Sequence, residues 1–470
     1  MHGKQRVKAM TGWNMRIKRG LCAALAFAML AAVPAGADTL RSAMADAYRN
    51  SALLEQNRYL LRVRDEGVNQ AIAALLPTLS FTASSARDLV ADTTTTTARL
   101  VAEATLYAGG SRRNALRGAE ETLNAARAQL VALEAQVLGD AVTAYLEVWE
   151  AQQVVAVREA NVRVVTEQLR AARDRFEVGE ATRTDVAQAE ALLATARSNL
   201  AAAQGTRDIS RELFNLAVGR YPDALPGPGA MPVLPASEQE AARLARQEHP
   251  AIRALQHEVA AAEFAVAQAR GATRPSLSVD LSRSETFEAP LAAQEGNDAR
   301  LSLTLSQPIY RGGQLGSLER QALAQAEAVR AGLNRQVQIN LQLLGNAYAR
   351  LGIATAQIQA SDQRINAAQL AFEGIREEAS LGARTTLDVL DAEQDLLEAR
   401  ISRIEAQSGL YAAAYGILGA AGLLGVANLN LPVPEYDVAA YGATFQGGRP
   451  RIASPQGDRL DTLLQAIGRE

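Results

Sequence analysis

This chain is built twice. "LPTLSFTAS" (Leu76 to Ser84) matches "RPSLSVDLS" (Arg274 to Ser282), and "LYAGG" (Leu106 to Gly110) matches "IYRGG" (Ile309 to Gly313). Tyr107 and Tyr310, Tyr145 and Tyr348, and Asp185 and Asp388 all stand 203 residues apart. Self-similarity of this kind must be read before anything else, because it ties both halves to one structural plan. The first copy covers 38–219 and the second 238–422. Between them lies "GRYPDALPGPGAMPVLPAS", whose Pro and Gly content rules out continuous helix or inner strand over 220–237. A mixed tail occupies 423–470, and its end, "GGRPRIASPQGDRLDTLLQAIGRE", reads as loosely ordered with one short helix.

Each copy reads helix, strand, strand, very long helix, turn, helix. The helical segments are rich in Ala, Leu, Gln, Arg and Glu, with Gly and Pro at their ends. They are expected over 40–74, 111–178 and 183–218, then over 238–270, 314–380 and 385–422. The two longest would each extend about 100 Å at 1.5 Å per residue. No globular core needs such a helix, whereas coiled-coil-like packing does. The short polar turns after Gly179 and Gly382 force antiparallel neighbours. The two shorter helices of the first copy, placed end to end, match the length of the long one.

The strand segments change the period from 3.6 to 2. Leu277, Val279 and Leu281 alternate with Ser278, Asp280 and Ser282, and Leu301, Leu303 and Leu305 with Ser302, Thr304 and Ser306. In the first copy Leu79, Phe81 and Ala83 alternate with Ser80, Thr82 and Ser84, and Leu100, Ala102, Ala104 and Leu106 with Val101, Glu103, Thr105 and Tyr107. Segments of about ten residues with this alternation suit a tilted transmembrane strand with a lipid-facing and a wet side. A soluble sheet with one solvated face shows the same alternation, but the chain offers no apolar layer to cover the Leu face. Four strands cannot close a membrane barrel, and open edges are not tolerated in lipid. Protomers must therefore associate. The Thr93–Thr97 run reads as an external loop between strands.

The first 37 residues look like an export signal, with Met15 the expected start. A positive segment from Met15 precedes the apolar run Leu21–Val33, and Ala35-Gly36-Ala37 resembles a cleavage site. All three Lys, three Arg and the single Cys (Cys22) lie there, and no acid does. The remainder has 48 − 6 = 42 basic and 51 acidic residues, a net of −9. An acidic, aromatic-poor chain is a poor nucleic-acid binder. Without Cys it has no disulfide or thiolate chemistry.

Both copies carry the same tip motif, "VGEATRTDVAQAE" (Val178 to Glu190) and "LGARTTLDVLDAE" (Leu381 to Glu393). Thr182 with Asp185, and Thr385 with Asp388, fit the N-cap and N3 positions of a capping box, with Asp in place of Glu. Only the second copy adds Asp391, on the face of Asp388, where the first has Gln188. The Gly109-Gly110 and Gly312-Gly313 pairs follow strands but match no phosphate-loop pattern. They suit a bend from strand into helix. His249 and His257 have no Cys or acid cluster to complete a metal site. No nucleophile–base arrangement appears, so neither an enzyme nor a cofactor is expected.

With its two-fold repeat, "SQPIYRGG" (Ser306 to Gly313) and "LGARTTLDVLDAE", the chain resembles the TolC family of outer-membrane efflux and secretion ducts over nearly all of 38–425. That resemblance implies an α+β membrane protein, a trimer whose four strands per protomer complete a β-barrel above a long α-helical tunnel. It also implies outer-membrane lipid around the barrel, a periplasmic adaptor, and an ABC or proton-driven transporter of the inner membrane. By the same resemblance Asp388 and Asp391 line the narrow end of the tunnel, and Arg384 ties the closed tip to Asp185. Relatives often carry an aromatic three residues before the turn Gly. Phe176 keeps it in the first copy, and Ala379 replaces it in the second. The rival readings are a periplasmic adaptor, which would not need lipid-facing strands, and an envelope coiled-coil filament, which would lack them.

Overall fold

The computed structural model describes residues 39–223, 225–287 and 296–443. The expected export signal and the last part of the tail lie outside the described residues. The elements run α1 (Leu40–Asn50), α2 (Ala52–Ala73), β1 (Thr78–Asp88), β2 (Thr93–Ala108), α3 (Ser111–Glu177) and α4 (Arg183–Val218). The second copy gives α5 (Glu238–Glu248), α6 (Pro250–Gly271), β3 (Ser276–Phe287), β4 (Gly296–Ser306), α7 (Gln314–Ser380) and α8 (Thr386–Ala421). A single turn, α9 (Ala440–Ala443), follows.

Both long helices hold 67 residues. The first helix of each copy is not continuous, contrary to the sequence expectation. It breaks at Ser51, whose hydroxyl caps α2 by accepting from Leu54 N, and at His249, whose Nδ1 caps α6 by accepting from Ala251 N. Pro250 drives the second break, since the residue before a proline is pushed out of helical conformation. Ser51 and His249 differ by 249 − 51 = 198 positions, whereas the long helices differ by 314 − 111 = 203. The duplication is thus in register on both sides of the sheet, and the extra five positions lie between the strands of the second copy.

Those breaks are where the short helices meet. Asn50 Nδ2 donates to Val218 O at the end of α4 (3.0 Å). Gly422, ending α8 at φ 77°, lies so close to His249 that an added Cβ would stand 2.7 Å from its Cα. The pair α2 and α4 therefore runs along α3, and the pair α6 and α8 along α7. In one half of the molecule α2, α3, α6 and α7 lie side by side; in the other, α4, α3, α8 and α7 do. The main core sits midway. There Leu138 and Tyr145 of α3 pack with Met44 of α1, Phe214 of α4 and Leu418 of α8. The connector and tail close over it: Tyr145 Oη donates to Gly227 O (2.8 Å), and Tyr436 N donates to Tyr48 Oη (3.1 Å).

The strands form one antiparallel sheet in the order β1-β2-β3-β4, leaving β1 and β4 as open edges. Its register gathers the apolar residues onto one face. Leu79 lies opposite Ala102, Ala102 opposite Leu281, and Leu281 opposite Leu301. The row beside it joins Ala104, Val279 and Leu303. Leu79, Phe81, Leu301, Leu303 and Leu305 are all exposed. A one-residue slip would have split this face, so the pairing confirms the alternation.

Two expectations about the strands change. The Thr93–Thr97 run is the start of β2 rather than a loop, as suits β-branched residues. The turn is Leu89–Asp92, where Asp88 Oδ1 accepts from Val90 N (2.9 Å) and Ala91 N (3.0 Å). A bulge at Leu106 also shifts the pairing, so that Tyr107 rather than Leu106 lies opposite Leu277. One extra residue in a bulged strand reverses the parity beyond it. Tyr107 therefore joins the apolar face.

Candidate functional site

The twin turns at the far end of the helices are built alike. After α3, Gly179 takes φ 83°, and Glu180 N donates to Arg175 O (2.8 Å). After α7, Gly382 takes φ 77°, and Ala383 N donates to Glu378 O (2.9 Å). A left-handed residue is what this helix ending requires, and glycine adopts it without a Cβ penalty.

Each following helix starts with a complete capping box. Thr182 N donates to Asp185 Oδ2 (2.8 Å), and Asp185 N donates back to Thr182 Oγ1 (3.2 Å). In the second turn Thr385 N donates to Asp388 Oδ2 (2.9 Å), and Asp388 N donates to Thr385 Oγ1 (3.2 Å). Those backbone donors hold both carboxyls below the usual carboxylate range, with the threonine hydroxyls adding to the effect.

Beyond the cap the two copies part. Val389, Leu390, Ala392 and Glu393 are buried against neighbouring helices. Asp391 and Asp395 are exposed and, with Asp388, line a groove between α7 and α8. Arg364 and Arg384 line the same groove, the only basic residues there. Asp391 takes no part in the cap. Asp395 lies one heptad beyond Asp388 (395 − 388 = 7) and belongs to the same stripe; that spacing was available in the sequence.

Arg384 Nε donates to Glu378 Oε2 at 2.9 Å, across its own turn. Within the protomer, then, Arg384 is engaged by Glu378, and Asp185 by Thr182. Glu378 was not singled out from the sequence, because a Glu in the last turn of a long polar helix looks like an ordinary surface charge. Glu393 was missed for the same reason. It is 6 % exposed, hydrogen-bonded with Asn161 of α3, and burial pushes its carboxyl up while Arg400 and Asn161 pull it down.

At the sheet end the glycine pairs make the bend. Gly109 and Gly110 take φ 62° and 84°, and Gly312 and Gly313 take 57° and 80°; Gly110 and Gly313 are the residues from which α3 and α7 start. His257 Nδ1 lies 2.7 Å from Glu121 Oε2, and His249 is the cap of α6. Among the described residues no group of three or more His, Cys, Asp or Glu could hold a metal ion.

Long paired helices, a sheet with one apolar face and tight twin tips describe a duct, and comparison with known proteins gives it a family. The profile of the outer membrane efflux proteins matches 43–220 and 241–423, one match per copy. The chain belongs to the outer membrane efflux protein family. It is 35% identical over 403 residues to the outer membrane efflux protein BepC of Brucella suis, covering 85% of this chain and 88% of that one. It is 27% identical over 301 residues to the alkaline protease secretion protein AprF of Pseudomonas aeruginosa, covering 62% and 63%. The solved outer membrane protein VceC of Vibrio cholerae superposes with a TM-score of 0.73 at 20% identity, over 82% of this chain and 96% of that one. This efflux protein is thus an exit duct in the outer membrane, with a large periplasmic tunnel. Its family consists of channels rather than enzymes. None of its described helices is long and apolar enough to cross a membrane.

Proposed function

We propose that the protein works as a homotrimer that passes cargo from an inner-membrane ABC or proton-driven transporter, through a periplasmic adaptor, to the outside. The observation that carries the trimer is the sheet: a face rich in Leu and two edges, β1 and β4, without a partner strand among the described residues. In lipid every backbone donor and acceptor needs a partner. Pairing β4 of one protomer with β1 of the next supplies them, and three copies give 4 × 3 = 12 strands.

The helical tip is the gate. Asp388 and Asp391 face the tunnel's narrow end, where three copies give 2 × 3 = 6 carboxylates. A narrow, low-dielectric neck focuses their field and favours cations. Arg384 helps close the tip. Its Nε is held by Glu378, and a guanidinium has further donors with which to reach Asp185 across the tip. Such exposed pairs are worth only about 0–1 kcal/mol each, as suits a closure that must open.

Planar-bilayer recording of the purified protein tests both statements. A trimer by light scattering, cation preference, and a larger conductance for Arg384→Ser are expected. A monomer without conductance would overturn the assembly. Unchanged conductance in Arg384→Ser would remove that residue from the gate.

A further inference from the structure

The groove that holds Asp388, Asp391 and Asp395 has a counterpart higher on the same helix pair. On α7 the lower groove is lined by Arg364, Ala368, Ala371 and Ile375. The upper groove is lined by Leu343, Ala347, Arg350 and Ala354. Each upper residue lies 21 positions before its lower equivalent, as in 364 − 343 = 21. On α8 the relation holds again: Asp388, Asp391 and Asp395 correspond to Gly409, Ala412 and Gly416, as in 412 − 391 = 21. Twenty-one positions are three heptads, so both grooves lie on one stripe of a coiled-coil pair. The opposite flank of α7 is covered: Tyr348 and Leu351 pack with Leu234 and Ala242 of the connector and α5.

The chemistry reverses along this stripe. The lower groove carries three carboxylates, and the upper one is lined by none. Glycine and alanine stand where the lower groove has acids, and the upper groove has a volume of about 620 Å³, close to the 640 Å³ of the lower one. That is the size of a small-molecule site, as is its make-up of apolar wall and few polar groups. Leu343 and Ile353 are 53 % and 56 % exposed along it. Arg350 is exposed and has no ionic partner among the described residues. At its floor, Asn340 is 3 % exposed; its Oδ1 accepts from Gln336 Nε2 (2.9 Å), and its Nδ2 has no partner. An unpaired buried N–H is costly, and a small turn of that amide would offer it to an acceptor in the groove.

We propose that this upper α7–α8 groove is a binding site for amphiphilic organic anions in transit: an apolar body against Leu343, Ile353 and the Gly/Ala wall of α8, and an anionic group on Arg350 with Asn340 beneath. The proposal rests on the reading that the Asp391 stripe faces the tunnel. An anion pushed by the transporter past the acidic neck, which repels it, would meet three heptads on a groove with no carboxylate and one arginine, Arg350, that retains it briefly.

The test uses the full trimer in lipid nanodiscs; the single cysteine, Cys22, falls in the expected export signal, so an introduced thiol is unique in the processed chain. Ala412→Cys is labelled with a membrane-impermeant maleimide in the presence of 1-anilinonaphthalene-8-sulfonate. The sulfonate should slow labelling, and Arg350→Gln should raise the half-protecting concentration about tenfold, the loss of one charge-assisted contact. Uncharged N-phenyl-1-naphthylamine should protect the two proteins equally. No protection by the sulfonate, or equal protection in Arg350→Gln, overturns the site. Ala412→Cys that resists labelling while Asp391→Cys is labelled means the groove is covered in the trimer, and only this inference falls. If neither thiol is labelled, the stripe does not face the tunnel and the gate reading falls as well.

Discussion

Asp185 and Asp388 make the same bonds 203 residues apart, each closing a capping box with the threonine three positions before it. Because Asp388 belongs to both the cap and the proposed gate while Asp391 belongs only to the gate, Asp391 allows the gate to be changed without touching a cap. Thr182→Ala and Thr385→Ala should each cost about 0.5–2 kcal/mol of helix stability. Asp391→Asn touches neither cap and should leave heat stability nearly unchanged. It should, however, weaken block by multivalent cations applied from the periplasmic side. Persistent block in Asp388→Asn, Asp391→Asn together would show that these acids do not line the pore.

The apolar face of the sheet gives a second contrast, between adjacent residues. Leu303 stands opposite Val279 on the apolar face, and Thr304 stands opposite Ser278 on the polar one. Arg in place of Leu303 should cost about 2–4 kcal/mol near the bilayer centre, and Arg in place of Thr304 much less. The amount of folded trimer recovered from membranes measures this. Equal losses would mean that the two faces see the same solvent.

How much of this was legible beforehand depended on range. Period-2 alternation at Leu277–Leu281 and the repeat fixed the sheet, because register follows from the pattern itself. The bulge at Leu106 was not legible, since one extra residue leaves no compositional trace. Both breaks were read through as helix, over 40–74 and 238–270; Pro250 was a signal for the α5/α6 break that went unused, whereas its twin at Ser51 has no proline. Asp388 and Thr385 were legible because a cap is local. Glu378 and Glu393 were not, because a surface Glu and a buried one look alike until the partner helix is placed.

The glycine pairs make a third prediction from an asymmetry. Gly109 and Gly312 both take positive φ, yet their surroundings differ. A Cβ on Gly109 would lie 2.2 Å from Gly271 O and 2.7 Å from Arg274 Cβ, whereas nothing lies within 4 Å of one on Gly312. Gly312→Ala should cost only the strain of a left-handed residue, about 1 kcal/mol. Gly109→Ala adds a backbone collision where α6 and α3 meet, and should cost several times more. Urea midpoints of the detergent-solubilised protein would rank them. Equal midpoints would mean that the strand-to-helix bends are equally open in the assembly.

Glu393 yields a pH prediction whose sign is fixed by its burial. Its ordinary value is 4.5, and desolvation between α3 and α8 raises it, with Asn161 and Arg400 opposing. The folded chain therefore holds this proton more tightly than the unfolded one between 4.5 and the higher folded value. Linkage then gives a stabilising contribution that is fully present below 4.5 and is lost as pH rises through the folded value. Glu393→Gln keeps the size and the hydrogen bond to Asn161 but cannot ionise. Its unfolding temperature should exceed that of the unmodified chain at pH 7–8, and the difference should vanish near pH 4. The capping carboxyls Asp185 and Asp388 have the opposite dependence, since their values are lowered. They are common to both proteins and cancel in the difference. A difference that is constant with pH would mean that Glu393 does not titrate between those limits, and that Arg400 holds it ionised. In that case Arg400→Gln should restore the dependence.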